Sequence, residues 1–224
     1  MGRDTVIQTG AGPVDAWRAD PPDHAAALGG IVVLQEIFGV NEHIRSVVEG
    51  YAASGYVALA PALFDPVARN VELGYDEAGF ARGRELVGEL GAERAVDTTR
   101  AAAESLRREG LKVVVIGFCW GGSMALLANT RLGLPAVAYY GARSQPYLGE
   151  ALRAPMLFHF GAEDQSTPPD YIQAHRDAWA DAQVHLYPGA GHAFNRDVDP
   201  RHFHPESAAL ARRRTLDFLE TALG

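Results

Sequence analysis

Residues 112–128 read KVVVIGFCWGGSMALLA. Residues 113–116 form a β-branched run of the kind found in strands buried on both faces. Residues 123–128 are good helix formers. Between them, Gly117-Phe118-Cys119-Trp120-Gly121-Gly122 has the form G-x-C-x-G, the pattern of a sharp strand-to-helix turn that presents a nucleophile, with Cys where Ser is commoner. Such a turn strains the backbone at its nucleophile, and flanking side chains would collide with the adjacent strand and helix, which accounts for the glycines. A thiol there stands at a helix N-terminus, whose dipole favours the thiolate. The backbone N–H of Trp120 is then an oxyanion donor. The competing reading of this stretch alone is a glycine-rich turn around an inert, buried Cys.

The rest of the chain repeats the strand–helix alternation. Residues 6–8 and 14–17 read as an N-terminal hairpin, and residues 20–23, with their double Pro, as a surface loop. A second continuous apolar run, 31–34, predicts another central strand and ends in Gln35-Glu36-Ile37-Phe38-Gly39. Asn41 suits the cap of a helix over 42–54, closed by Gly55, with a strand following over 56–60. Residues 62–75 lack a period and read as loop. Residues 76–90 are helix-like but interrupted by Gly79, Gly83 and Gly88, while 92–109 reads as a sound helix ended by Gly110. Beyond the central stretch, whose helix extends to about 132, strands are expected over 135–140, 155–160 and 184–187, and helices over 170–182 and 205–223.

This alternation predicts one α/β domain over residues 1–224, with a mainly parallel sheet covered by helices on both faces. The chain has 224 residues and 47% hydrophobic residues, enough for a real core. Its net charge is −8, and the longest Lys/Arg cluster is 212–214, which speaks against nucleic acid or an anionic membrane as partner. No apolar run is long enough to span a bilayer, and the N-terminal residues lack the hydrophobic core of a signal peptide. A single Cys excludes an internal disulfide and favours a cytoplasmic, reducing compartment. A monomer is the default expectation.

Sheets of this kind bind ligands beyond the carboxyl ends of their strands. Glu36, Cys119, Asp164 and His192 all fall there. The order Cys119, Asp164, His192 is the nucleophile–acid–His order of one large hydrolase fold, and a thiol attacking a carbonyl needs a base and an orienting acid. Glu163 competes with Asp164 for the acid. The rigid Pro188-Gly189-Ala190-Gly191 lead-in suggests a loop built to place His192. Glu36 supplies a possible second base for the thiol, and the N–H of Ile37 a second oxyanion donor. Its bland alternative is a charge at the N-terminus of the following helix. His202 and His204 form an H-x-H pair, but without a third ligand a solvated loop is the better reading than zinc.

Together these residues resemble the dienelactone hydrolase (carboxymethylenebutenolidase) family of the α/β-hydrolase fold. The resemblance is carried by residues 35–39 (QEIFG), 117–122 (GFCWGG), 139–141 (YYG), 161–164 (GAED), 191–194 (GHAF) and 215–219 (TLDFL). It implies a Cys119–Asp164–His192 triad with neither metal nor organic cofactor, and a Glu36 that takes the thiol proton when substrate arrives. It further implies cleavage of a cyclic enol ester through an acyl-thioester to a maleylacetate-type product. Such substrates carry a free carboxylate, for which Arg196 and Arg82 are the implied partners, with Arg84 a rival to Arg82. Phe38 and Tyr140 are the implied aromatic lining. Leu86 departs from the pattern, because it stands where familiar members carry a substrate-contacting Tyr. A broader esterase or thioesterase with the same triad is therefore the alternative, and a non-catalytic redox or ligand-binding chain is the third reading.

Overall fold

A computed structural model describes residues 2–23 and 27–224, so Met1 of the N-terminal stretch lies outside the described residues. The chain divides into two compact units, Met1–Val115 and Ile116–Gly224.

In the first unit the expected hairpin forms from β1 (Arg3–Thr9) and β2 (Gly12–Ala19), paired antiparallel from Arg3 with Arg18 to Thr9 with Gly12. β2 runs antiparallel to β4 (Val57–Pro61), and β3 (Gly30–Leu34) runs parallel to β4, giving the order β1-β2-β4-β3. Every residue of β3 and β4 is buried. Strands with no solvent face have no use for polar alternation, so they read as unbroken apolar runs. α1 (Glu42–Ala53) starts where Asn41 accepts the Ile44 N–H on its side chain. The helix-like stretch at 76–90 and the sound helix after it become one element, α2 (Glu77–Arg108), kinked at Gly91 with φ 73° and ψ 160°. Asp76 caps it by accepting from the Gly79 N–H at 2.8 Å.

β5 (Val113–Phe118) carries the chain into the second unit, whose strand order is β5-β6-β7-β8, with β6 (Ala136–Tyr139), β7 (Met156–Gly161) and β8 (Gln183–Tyr187). β6, β7 and β8 are mutually parallel. Two boundaries differ from expectation. α3 (Trp120–Leu132) begins three residues before the good helix formers, because Gly121 and Gly122 are already helical despite their poor propensity. α4 (Pro169–Ala178) stops short of 182, since Trp179 leaves the helix to stack on Phe158 at a centroid distance of 5.7 Å. α5 (Pro205–Leu223) closes the chain as predicted.

Candidate active site

The end of β5 turns abruptly into α3 at Cys119, whose φ of 53° and ψ of −118° are strained for a residue with a side chain. The turn holds because the Cys119 N–H donates to the Tyr139 carbonyl at 3.0 Å and the Cys119 carbonyl accepts from the Gly122 N–H at 2.9 Å. It also requires a glycine at 117: a Cβ there would lie 1.9 Å from the Gly121 carbonyl oxygen. Trp120 is the first residue of α3.

Two more strand ends of the same unit meet this thiol. Asp164 follows β7 and is buried, whereas its rival Glu163 is exposed, so the structure selects Asp164 as the acid near the imidazole. His192 lies in the loop after β8. Its Nδ1 is 2.7 Å from Asp164 Oδ2 and its Nε2 is 3.2 Å from Cys119 Sγ. Chain order thus becomes a spatial thiol–imidazole–carboxylate line. Partial burial of the His192 ring disfavours its charge. The neighbouring Cys119 and the hydrogen bonds to Asp164 and Cys119 outweigh this and raise the ring from 6.5 to about 10. Burial likewise works to raise Asp164, but its bonds to His192 and Ser166 hold it below the ordinary carboxylate value.

Ser166 is a member that sequence reasoning did not assign. Its backbone N–H donates to Asp164 Oδ1 at 2.8 Å, its hydroxyl bonds the same oxygen, and its Oγ lies 3.2 Å from His192 Nδ1. The signal was present, since a Ser two residues after an Asp commonly closes such a local turn. Tyr140 is fully buried at φ 40°, with its ring edge-on to His192 at 5.2 Å.

The remaining candidates are placed as follows. Glu36 is fully buried just beyond β3, in the first unit, with Ile37 and Phe38 also buried after it. Phe38 packs edge-on against Tyr75 at 4.7 Å and Phe80 at 4.9 Å. Arg82 is exposed on α2 and pairs with Glu85 at 2.9 Å and Glu89 at 3.2 Å, and Arg84 is exposed beside it. Leu86 is buried. Arg196 is buried in the second unit, its Nη1 3.2 Å from Asp199 Oδ2. The same carboxylate oxygen lies 2.7 Å from His202 Nδ1. His204 caps α5 by accepting from the Ser207 N–H, so each histidine of the H-x-H pair has a local task. Among the described residues, no group of three or more His, Cys, Asp or Glu is arranged to hold a metal ion, and no helix is long and apolar enough to cross a membrane.

A cysteine on a sharp strand-to-helix turn, with an imidazole and a carboxylate at the ends of later parallel strands, is the arrangement of an α/β-hydrolase. Comparison narrows this class. The sequence model of the dienelactone hydrolase family matches residues 14–223. A Yersinia pestis protein provisionally named a carboxymethylenebutenolidase is 34% identical over 96% of this chain and 86% of its own length. The carboxymethylenebutenolidase of Pseudomonas putida is 33% identical over 84% of each chain. A crystal structure from Klebsiella pneumoniae, provisionally named a dienelactone hydrolase, superposes with a TM-score of 0.84 at 30% identity, covering 98% of both chains. The chain belongs to the dienelactone hydrolase family, and with it to the lactone and ester hydrolases.

Proposed function

We propose that this chain, acting as one α/β domain over residues 1–224, hydrolyses a small carboxylated lactone or enol ester of the dienelactone type by a Cys119–Asp164–His192 triad. The observation that carries the reading is the single imidazole within hydrogen-bond reach of both the strained thiol and the buried carboxylate. In the first half-reaction the thiol proton passes to His192, with Glu36 as a second acceptor, and Sγ attacks the ring carbonyl carbon. The tetrahedral oxyanion is received by the N–H groups of Ile37 and Trp120. The ring C–O bond breaks and His192 returns its proton to the departing enol oxygen, which remains tethered in the product. In the second half-reaction His192 takes a proton from water, the resulting hydroxide attacks the thioester carbon, and Sγ leaves and takes the proton back from His192. The product is a ring-opened diacid of the maleylacetate kind. Arg82 and Arg196 are the proposed carboxylate partners, with Phe38 and Tyr140 lining the substrate. The chemistry calls for no cofactor, and the working form is a cytoplasmic monomer.

A broader esterase with the same triad is the second reading. It is favoured by one observation: Arg82 is engaged by two glutamates and Arg196 by Asp199. Initial rates on a dienelactone and on a matched neutral lactone separate the two. A preference for the acid of about a hundredfold (~3 kcal/mol) is expected from an arginine clamp. Equal rates would leave the triad in place and remove the clamp.

A further inference from the structure

The second unit carries a buried polar chain that the mechanism above does not use. His159, in the middle of β7, is fully buried. Its Nδ1 is 2.8 Å from Tyr187 Oη on β8 and its Nε2 is 3.0 Å from Thr215 Oγ1 on α5. Thr215 Oγ1 is in turn 2.7 Å from Tyr139 Oη on β6. At the other end the Arg214 guanidinium lies over the Tyr187 ring, 5.4 Å from its centroid.

Burial and the nearby charges of His185 and Arg214 hold the His159 ring well below its ordinary value, hence neutral. A neutral ring carries its hydrogen on one nitrogen only, so it donates to one of Tyr187 and Thr215 and accepts from the other. Both ring nitrogens are satisfied.

What this chain holds is the floor of the candidate site. The Tyr139 carbonyl is the acceptor for the Cys119 N–H, and the Tyr139 ring stacks on Phe118, the residue before the nucleophile, at 4.8 Å. The His159 carbonyl accepts from the Tyr140 N–H at 2.8 Å, and the Tyr140 ring abuts His192. His159 thus reaches toward Cys119 through its side chain and toward His192 through its backbone. An aliphatic residue could fill the same volume, but it would leave Tyr187 and Thr215 without their shared partner and Tyr139 tied only to a Thr215 no longer anchored to β7.

We propose that His159 is a positioning residue which, through Tyr187, Thr215 and Tyr139, holds the ends of β5 and β6 so that the thiol of Cys119 and the ring of His192 meet. The inference rests on the triad reading above. Its test uses the full chain and two readouts: alkylation of Cys119 by iodoacetamide, which needs no substrate, and kcat and KM on any ester the unsubstituted chain turns over. In folded His159→Leu, alkylation and kcat should both fall by about ten- to a hundredfold, with KM little changed. His159→Gln, whose amide both donates and accepts, should recover part of both. If His159→Leu does not fold, Thr215→Val breaks the same chain one residue later and is read in its place. Folded variants that alkylate and turn over like the unsubstituted chain would overturn the proposal. Ester turnover that survives Cys119→Ala would overturn the triad reading and this inference with it, and so is told apart from failure of His159 alone.

Discussion

At the scale of single residues, the site is held by charge as much as by position. Cys119 occupies a backbone conformation that costs on the order of 1–3 kcal/mol, tolerable because the surrounding turn over-determines it. Cys119→Ala keeps that turn and removes only the sulfur. Ester turnover should vanish while the unfolding temperature stays within a few degrees, and residual turnover would mean that another group is the nucleophile. The Asp164–His192 pair makes a second prediction, on pH. Asp164 lies below its ordinary 3.8, so its contribution to stability is present above that value and lost as pH falls through the folded one. His192 is raised from 6.5 to about 10, so its contribution is complete below 6.5 and disappears as pH rises toward 10. The two windows overlap between about pH 4 and pH 6.5. Thermal unfolding of the chain against Asp164→Asn should therefore show its widest gap near pH 5.5 and a shrinking one toward pH 10. A gap that widens from neutrality to pH 9 would contradict the assignment of charge within the pair.

At the scale of elements, α2 shows how a helix can need one glycine and merely tolerate another. A Cβ on Gly83 would lie 2.4 Å from the carbonyl oxygen of Ile37, so the helix approaches that backbone only because the side chain is absent. Gly88 has open space around its Cβ position. Gly88→Ala should stabilise the chain by about 0.5–1 kcal/mol through helix propensity and the unfolded state. Gly83→Ala should destabilise it by about 1–3 kcal/mol and lower kcat, since the Ile37 peptide must shift. Urea unfolding of both variants checks the contrast, and equal effects would refute it. The same helix shows what the sequence could and could not disclose. β3, β4 and β5 were legible because burial on both faces writes a continuous apolar run. Cys119, Asp164 and His192 were legible because each follows such a run in the order the fold requires. The early start of α3 was hidden by Gly121 and Gly122, whose helical state is imposed by the turn and not by propensity. The pairings of Arg196 with Asp199 and of Arg82 with Glu85, three residues on in each case, were readable but unread. The His159 chain was not readable at all, because Tyr139, His159, Tyr187 and Thr215 come together only through the register of three parallel strands and the packing of α5.

At the scale of the whole molecule, the net charge of −8 bears on any anionic substrate. A field of that sign depletes anions near the surface, over a distance that salt sets at about 10 Å for 0.1 M. The cations proposed to grip a substrate carboxylate do not oppose this field at long range, because each already faces acids: Arg82 has Glu85 and Glu89, and Arg196 has Asp199. From afar Arg82 with its two glutamates sums to −1 and Arg196 with Asp199 to zero, and only at contact does either guanidinium act as a cation. Raising ionic strength from about 0.01 M to about 0.1 M shortens the screening length from ~30 Å to ~10 Å and should therefore raise kcat/KM for a carboxylated lactone by a few-fold. The neutral lactone, blind to the field, should be unaffected and serves as the control. A fall with salt for the carboxylated substrate would mean that uncompensated positive charge governs its approach. In that case Arg82 or Arg196 must release its acidic partners before the substrate arrives, and Asp199→Asn should then strengthen the salt dependence.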